Sequence, residues 1–575
     1  MEKRTLIAIL LCVGIWILWQ QVFMEPMEPM EPRASSAGSV DGGVASANNP
    51  GTNKESKDSK LAPKDNKVEE GESKPPTERP EEQLASLKND KFEVILSSRG
   101  ASFKHVKLFG FKERIEGKGL EESDLEDVVS TKEELFMPLR LRMGGEKSSF
   151  KLPAYTDWQV TDSRPDRVTF RYEDPENLEI PTIIKTYTLG KGVYQIEMDL
   201  ELINRGESSL TAQPILEMFG FFEAPVSSGC GGVRMAPRQP MCLAGEEVLD
   251  VEPEAGSAVT GKPNILWTGI NEQYFLFAAV TVDTPESVCK LESRHDQRMV
   301  SSLIYPDIAL APGGSFKQKV RIYAGPKQWN LLEQVKGGKA GDERNAMLTN
   351  SVDFGWFAFL CHPMLWLLKF FYSFLGNYGL AIIFLTIIIK LLLLPLTQKS
   401  MASMREMAKI KPLMEDLKKK YGEDKQKMNE ETMKMYKTHK VNPMGGCLPM
   451  MMQMPIWIAL YRMLYSSVEL YQAPFIPGWL NDLSYRDPYF IMPIVLGATM
   501  FLQQKLSPTS VDSQQAKMMM YMMPAFFTFI MLYLPSGLVL YIFVNSVLSI
   551  AHQLIYNHIK GSPTAGMVDP AQAKT

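Results

Sequence analysis

Apolar and polar residues alternate in short runs between residues 84 and 326. Alternation with a period of two buries one face of a strand and leaves the other in water, as in antiparallel sheets. Turn signals rich in Gly, Pro and Asn separate the runs. Residues 84–326 are therefore predicted to form a large all-β sandwich domain. The clearest alternating sets are Phe92, Val94 and Leu96; Val168, Phe170 and Tyr172; and Tyr194, Ile196, Met198 and Leu200.

Long apolar runs dominate the second half of the chain. A helix needs about 20 apolar residues to cross a bilayer, within a range of ~17–25. The third run falls a little short of this length. This half is predicted to be an α-helical polytopic membrane core with five spanning helices, at residues 376–396, 446–466, 489–504, 518–534 and 537–555.

The N-terminus carries one more apolar run, Leu6–Phe23, directly after Lys3 and Arg4. The run is longer than the ~7–15 residue core of a cleaved signal, and no A-x-A site closes it. Residues 1–23 are predicted to be a retained transmembrane anchor, with a cleaved signal as the alternative. Residues 24–83 contain too little apolar area to offset the entropy of ordering, which predicts a disordered tether.

An aromatic segment at 350–371 lies between the β-domain and the first of the five runs. Its few polar residues interrupt a dense set of Phe and Trp side chains. This composition predicts an interfacial amphipathic helix at the membrane surface. The alternative is that the segment leads into the next span.

The loops differ in charge, and this difference predicts the orientation. Lysines crowd the loop 397–444, whereas the loop 467–488 has one Arg and three acidic residues. Basic loops stay in the cytoplasm. The N-terminus and the tail 556–575 are then cytoplasmic, and the β-domain is periplasmic.

The basic loop 397–444 has a helical pattern of its own. Met407, Ile410 and Met414 follow each other at spacings of three and four residues, and a second helical stretch runs from about Lys425 to His439. The pattern predicts a cytoplasmic helical hairpin in which Pro412 kinks the first helix. The hairpin is either a solvated spacer or a docking site for partners attracted to basic residues.

Composition excludes several function classes. Lys and Arg number 62 and Asp and Glu 66, giving a net charge of −4, so a DNA-binding protein is not indicated. Nucleotide-binding and common hydrolase motifs are missing, and the six cysteines form no C-x-x-C pair, so neither a cofactor nor a metal site is expected. Cys230 and Cys242 either pair in an oxidising periplasm, which leaves Cys289 alone, or stay unpaired.

Lys390 lies inside the first of the five spans, with apolar residues on both sides. A lysine at the centre of a helix costs ~2.5–3.5 kcal/mol on insertion scales. It either snorkels to the cytoplasmic boundary, about 10 Å away, or faces a water-filled cavity. Thr386 lies one turn away on the same face and favours the cavity. Further polar candidates in the spans are Gln453, Asn545, Ser546 and Ser549.

Methionines cluster at Met450–Met454 and at Met518–Met523. Flexible, polarizable Met side chains suit a surface that binds varied apolar partners, and they are equally ordinary in contact with lipid.

Five short motifs rich in Pro and Gly stand out along the chain. They are Asn442-Pro443-Met444-Gly445-Gly446-Cys447-Leu448-Pro449 with Gln453-Met454-Pro455, Pro535-Ser536-Gly537-Leu538-Val539-Leu540-Tyr541, Asp487-Pro488-Tyr489, Ser507-Pro508-Thr509 and Gly269-Ile270-x-x-Gln273-Tyr274-Phe275. These motifs resemble those of the YidC-type membrane protein insertases of the bacterial inner membrane, in their Gram-negative form with a large periplasmic domain. The similarity runs from about Phe354 to Tyr556, and the β-domain resembles the family's periplasmic domain more loosely.

The resemblance implies a membrane-protein insertase and chaperone that needs no cofactor. In this family a hydrophilic groove opens to the cytoplasm and to lipid, and a positive residue in it attracts polar parts of the incoming segment. Here that residue is Lys390, where many members carry Arg, so the charge is kept but the planar guanidinium is not. The implied partners are nascent membrane proteins, the Sec translocon, the lipid bilayer and, through the cytoplasmic loops, the ribosome.

On this basis the substrate groove is assigned to seven residues: Lys390, Thr386, Gln453, Met454, Trp457, Tyr541 and Asn545. One rival interpretation is a secondary transporter that uses Lys390, but the spans show no internal repeat. The other is an enzyme with its active site in the periplasmic domain, where the sequence shows no cluster of titratable groups.

Overall fold

The computed structural model describes residues 78–560. Within this range it leaves out 114–123, 132, 146–147, 175–176, 178, 222–237, 252–255, 283, 285, 295, 339–343, 422–423, 440, 442–447 and 507–512. The predicted anchor 1–23, the tether up to residue 77, the tail beyond residue 560, Cys230 and the motif residues 442–447 and 507–509 thus lie outside the described residues.

The first part of the described chain is built from strands. In chain order they are β1 (Leu84–Lys88), β2 (Phe92–Ser97), β3 (Ser102–Lys112), β4 (Leu125–Asp127), β5 (Arg140–Gly144), β6 (Gln159–Arg164), β7 (Arg167–Tyr172), β8 (Thr182–Leu189), β9 (Gln195–Ile203), β10 (Leu210–Phe221), β11 (Gln239–Ala244), β12 (Glu247–Asp250), β13 (Ala258–Thr260), β14 (Ile265–Asn271), β15 (Phe275–Thr281), β16 (Val288–Ser293), β17 (Arg298–Ile304), β18 (Ile308–Leu310), β19 (Ser315–Pro326), β20 (Lys336–Gly337) and β21 (Arg344–Asn345).

These strands form antiparallel sheets that share one core. A nine-stranded sheet has the order β12-β11-β14-β15-β19-β9-β8-β7-β6, and a six-stranded sheet has the order β13-β16-β17-β10-β18 with β5 also paired to β10. A four-stranded sheet, β1-β2-β3-β4, lies next to the nine-stranded sheet through β1. The predicted large β-domain is confirmed, and its alternating residues, such as Phe92, Val94 and Phe170, are fully buried.

The cysteine pairing differs from the one considered from the sequence. Cys242 on β11 forms a disulfide with Cys289 on β16, so it is not available to Cys230. The reason is topological, because β11 of the nine-stranded sheet packs against β16 of the six-stranded sheet. Both side chains lie in the buried core between the two sheets.

Helices make up the rest of the described chain. They are α1 (Trp329–Leu332), α2 (Ala358–Leu375), α3 (Tyr378–Lys409), α4 (Lys411–Tyr421), α5 (Lys425–Thr438), α6 (Leu448–Ser466), α7 (Ile491–Leu506), α8 (Ser513–Met531) and α9 (Ser536–Lys560). Together with the β-domain they confirm the predicted fold class of an apolar helical part joined to a large β-domain.

A two-residue break separates the aromatic helix α2 from α3. Gly376 ends α2 in the left-handed conformation, with φ 62°, and its N–H donates to the Tyr372 carbonyl. Asn377 then caps α3 by accepting a hydrogen bond from the Leu380 N–H at 3.1 Å. The aromatic helix is therefore a separate element that begins and ends later than the predicted 350–371.

The helical hairpin predicted in the basic loop begins at a different residue in the structure. Helix α3 continues from the apolar run through residue 397 to Lys409, so the first part of the loop extends the predicted span. The chain breaks at Ile410, and Pro412 is the second residue of the new helix α4. A proline fits there because the first turn of a helix has no use for its missing N–H. Pro412 thus starts a helix rather than kinking one.

Three helices in the described part of the chain are long and apolar enough to cross a membrane: Gly355–Leu375, Tyr378–Lys409 and Ser536–Ile559. Shorter apolar helices are Ile491–Leu506 and Tyr521–Met531. The first of the three contains the aromatic helix, so length and composition also permit it to span. The count of five spans stays a prediction.

A buried lysine ties two of the sheets together. Lys185 on β8 is fully buried, and its Nζ donates to the carbonyls of Gly100, Ala101 and Leu139 at 3.1, 3.3 and 2.9 Å. Gly100 and Ala101 form the turn that leads into β3. Three acceptors match the three protons of an ammonium group, so Lys185 holds the four-stranded sheet against the nine-stranded one.

Replacing Lys185 with Met should destabilise the β-domain. The substitution keeps much of the side-chain volume but leaves three carbonyls without their donor, and we expect a loss of at least about 2 kcal/mol. Urea unfolding of the full chain, followed by the β-sheet circular dichroism band, measures this. Lys191→Met, in an exposed turn, serves as the control. Equal midpoints for the two variants would contradict the assigned role of Lys185.

Candidate functional site

Lys390 on α3 is half-buried and turns toward α9. Its Nζ donates to Asn545 Oδ1 at 3.2 Å and to Ser549 Oγ at 2.5 Å. Ser549 in turn donates to the Asn545 carbonyl at 2.7 Å. The structure therefore brings Lys390 and Asn545 together, and it adds Ser549, which the sequence marked only as a polar candidate.

Both partners of Lys390 are neutral. In the part of the chain that the structure describes, no carboxylate lies within ion-pair distance of Lys390 Nζ. An ammonium that is hydrogen-bonded but not neutralised keeps its net charge, and in a medium of low dielectric that charge acts strongly on a nearby anion. This arrangement is suited to attract a polar or acidic group from outside the protein.

The partners of Lys390 belong to a polar stripe on α9. Tyr541, Asn545 and Ser549 are spaced four residues apart, and His552 follows three residues later. Residues at these spacings share one face of a helix. His552 lies close enough to Lys390 for the two groups to interact electrostatically, and its ring nitrogens are buried. His552 is not among the residues predicted from the sequence, although its spacing from Asn545 and Ser549 places it on the same face.

Thr386 is placed differently from the predicted polar lining. Its side chain is only 1% exposed, and its hydroxyl donates to the Ile382 carbonyl of the same helix at 2.6 Å. A threonine bonded back to its own helix is satisfied without water. Thr386 is thus part of the packed face of α3 beside the site.

Gln453, Met454 and Trp457 all lie on α6 and are half-buried. Gln453 lies near the buried Tyr541 hydroxyl of α9, although no hydrogen bond forms to that hydroxyl among the described residues. Trp457 begins a stack of rings along α6, 6.5 Å from Tyr461, which lies 5.6 Å from Tyr465. The seven assigned residues are therefore divided among α3, α6 and α9, and a side-chain hydrogen bond joins Lys390 of α3 to Asn545 of α9.

The methionine clusters are described only in part. Met522 and Met523 on α8 are 57% and 41% exposed. The side chains of Met450–Met452 and Met518–Met520 lie outside the description. Ser546 is buried next to Asn545. Within the described residues, no group of three His, Cys, Asp or Glu side chains is placed to hold a metal ion.

Comparison with protein families gives two matches that adjoin in the chain. Residues 370–562 match the family described as 60Kd inner membrane protein, and residues 84–367 match the YidC periplasmic domain. The boundary between the two matches falls within α2, at the junction of the β-domain and the helices.

Similar proteins extend along nearly the whole chain. The membrane protein insertase YidC of Geotalea daltonii is 32% identical over 568 residues, which cover 97% of this chain and 99% of that protein. The corresponding insertase of Anaeromyxobacter dehalogenans is 37% identical over 501 residues, 84% of this chain and 87% of that protein. The crystal structure of an active YidC insertase with its first transmembrane domain resolved aligns with 82% of this chain and 92% of that chain, at 18% identity and a TM-score of 0.36.

Removing the partners of Lys390 should destabilise the helical part. In the double variant Asn545→Leu with Ser549→Ala, the half-buried ammonium loses both acceptors, and we expect a loss of about 1–3 kcal/mol. Unfolding of the full chain in detergent measures the loss. In a Lys390→Met background, the same double change should lower the free energy of unfolding by at least about 1 kcal/mol less than it does in the wild type. The ammonium group that needs the two acceptors is absent from that background.

Ser546→Ala is the matched control, since Ser546 is also buried on α9. Ser546→Ala should lower the free energy of unfolding by the same amount in the wild-type and in the Lys390→Met background. If the double change is equally costly in both backgrounds, the contact between Lys390 and α9 is not energetically significant.

Proposed function

The chain belongs to the YidC family of membrane protein insertases, and from this premise we propose that it admits nascent transmembrane segments through a polar groove centred on Lys390. Insertion of membrane proteins is the activity for which its relatives are named, and its substrates are nascent membrane proteins. The family is an inner-membrane family with a periplasmic domain. What we propose beyond this family membership is the groove and the residues that line it.

The single observation that carries this proposal is the hydrogen bonding of Lys390. Its Nζ donates to Asn545 and Ser549, so the ammonium group is directed at the neighbouring helix α9. A snorkelling lysine would direct its ammonium group to the interface. The inward direction and the neutral partners both favour a groove cation that remains available to a substrate.

The proposed mechanism lowers the cost of carrying polar groups partway across the membrane. The polar flank of an incoming segment approaches from the cytoplasmic side and exchanges part of its water for Lys390, Asn545 and Ser549. An acidic group competes well for Lys390, because it adds an attraction between opposite charges that the neutral acceptors Asn545 and Ser549 cannot supply. The apolar part of the segment then moves out between helices into lipid, which is downhill.

Helices α6 and α8 are proposed to line the lateral exit. Half-buried Met454 and Trp457 on α6, and exposed Met522 and Met523 on α8, offer adaptable apolar contacts to different segments. This assignment does not require one fixed substrate sequence.

The topology predicted from loop charges completes the proposal. A cytoplasmic N-terminus, a periplasmic β-domain and a cytoplasmic hairpin α4–α5 place the open end of the groove beside the basic loop. The hairpin is proposed to receive substrates, with the ribosome and the Sec translocon as partners at that stage. Neither the transporter nor the enzyme interpretation gains support, because the similar proteins are named for insertion.

Changing Lys390 tests the groove cation. In insertase-depleted cells, Lys390→Arg should support insertion of a small substrate with an acidic periplasmic tail, whereas Lys390→Ala and Lys390→Glu should slow it by about tenfold or more. A tenfold change corresponds to ~1.4 kcal/mol. The same substrate with a neutral tail should be much less affected, because it offers no anion to Lys390.

Lys505→Ala is the control, since Lys505 is exposed at the end of α7. Abundance of each variant is measured by immunoblot. If all Lys390 variants match the wild type at equal abundance, insertion proceeds without the groove cation, and the proposed role of Lys390 is wrong.

A further inference from the structure

The loop that follows α6 packs into the core of the β-domain. Val468 and Tyr471 are 2% and 8% exposed, and both belong to the hydrophobic cluster of the β-domain, whereas nearby Leu470 belongs to that of the helices. A single loop therefore contributes side chains to both cores. Neighbouring residues of this loop thus place their side chains in different hydrophobic cores.

Tyr471 occupies an aromatic pocket made by the β-domain. Its ring centre lies 6.0 Å from that of Phe111, 5.0 Å from Tyr274 and 5.4 Å from Phe275. The contact with Phe275 is edge-to-face, the arrangement that aromatic pairs prefer. A buried aromatic anchor in a preformed pocket is the typical centre of a stable contact.

Polar contacts at the end of β3 fix the direction of the loop. The Tyr471 hydroxyl lies 2.9 Å from the Lys112 carbonyl and 3.0 Å from Glu126 Oε2. The Gln472 side chain pairs with the same backbone: its Oε1 accepts from the Lys112 N–H at 2.9 Å, and its Nε2 donates to the Lys112 carbonyl at 2.5 Å. These bonds give the apolar contact a defined register.

A third contact reaches α6 itself. Gln273, in the turn between β14 and β15, donates from Nε2 to the Tyr465 carbonyl at 3.0 Å. The last carbonyls of a helix have no partner within the helix, so this side chain caps the outer end of α6. The β-domain thus holds both α6 and the loop that follows it.

Helix α6 depends on this support more than its neighbours do. It packs mainly against α2 and touches α3 and α9 only sparsely, whereas α3 and α9 pack closely against each other. It also carries Gln453 and Trp457, two of the residues that the sequence assigns to the groove. A helix with few contacts to the other helices needs contacts outside the helical bundle to fix its position.

We propose that the β-domain acts as a clamp on the outer end of α6, with Tyr471 and Gln472 as positioning residues for insertion. The clamp keeps the periplasmic end of the groove wall in place while its cytoplasmic part yields to an incoming segment. The proposal rests on the insertase role of the family and does not require that Lys390 be the groove cation.

The test uses the full chain in membranes with Tyr471→Ala combined with Gln472→Ala. The loop keeps an attachment to the bundle in this variant, because Lys369 Nζ of α2 lies 2.6 Å from Glu469 Oε1. Docking is measured as the distance distribution between spin labels at Ile476 and Ser86, two exposed positions on the loop and on β1. We expect a broader, longer distribution and insertion that is several-fold slower.

Two further variants separate positioning from general damage. Tyr471→Phe keeps the ring in its pocket and should retain most of the docking and of the insertion rate. Tyr489→Ala changes a tyrosine that is 62% exposed at the other end of the loop and should leave both at the wild-type level. If the double variant undocks but inserts at the wild-type rate, the clamp has no role in insertion. If its distances do not change, the contact does not hold the loop in the membrane.

Substrate preference distinguishes this proposal from the groove cation. Loss of the clamp should slow acidic-tailed and neutral-tailed substrates by the same factor, whereas loss of Lys390 acts on the acidic tail. A double variant that affects only the acidic tail would overturn the clamp and point to an indirect effect on Lys390.

Docking should also weaken as the pH rises. Burial raises the pKa of Glu126 to about 7, and the nearby carboxylates of Glu272 and Glu113 act in the same direction, while Tyr471 and Arg238 oppose it. Tyr471 has one proton for two acceptors, so a protonated Glu126 can donate to the Tyr471 hydroxyl while that hydroxyl donates to Lys112.

The direction of the pH effect on docking follows from the raised pKa of Glu126. Tyr471 lies against Glu126 in the docked loop, so we expect undocking to return this carboxyl to water and its pKa toward about 4.5. Docking then takes up a proton, and the contribution of Glu126 to docking is complete below about 4.5 and is lost as the pH rises through about 7. The label distances should lengthen between pH 5 and pH 8, and Glu126→Gln should keep the loop docked at pH 8. An equal pH response in Glu126→Gln would exclude Glu126 as its source.

Discussion

Lipid offers no hydrogen bonds, so a charged side chain on a spanning helix is costly unless it finds partners inside the protein or in a water-filled cavity. Lys390 is the strongest case in this chain, because its ammonium group lies on an otherwise apolar stretch of α3. The partners come from α9, which supplies an amide and a hydroxyl. These two hydrogen bonds place the face of α9 that carries Asn545 and Ser549 against the face of α3 that carries Lys390.

The same rule operates at the outer end of the helices. The carbonyl of Tyr465 near the end of α6 is satisfied by Gln273 of the β-domain, and Gln472 pairs with the backbone at the end of β3. Polar groups that a helix end cannot satisfy thus connect the two parts of the molecule. The β-domain and the helices are joined by specific contacts as well as by the chain.

Much of the architecture could be predicted, because it follows from local patterns. Alternation with a period of two located the β-domain, and long apolar runs located the helices. The breaks between consecutive helices were harder to predict. Gly376 and Asn377 separate α2 from α3 through a left-handed residue and a side-chain cap, and Ile410 ends α3 just before Pro412. Such breaks depend on a few dihedral angles, which a hydropathy pattern averages out.

The sequence by itself determined that Lys390 is an exceptional residue, because a lysine amid apolar residues is costly wherever the helix lies. It could not determine the partners of Lys390, nor separate Asn545, which contacts it, from Thr386, which bonds to its own helix. Nor could the sequence determine that Cys242 pairs with Cys289, or that Tyr471 is buried in the core of the β-domain. The physical reason is the same throughout. Composition and periodicity report the cost of burying a side chain, whereas its partner comes from an element distant in the chain, and only tertiary packing decides which element that is.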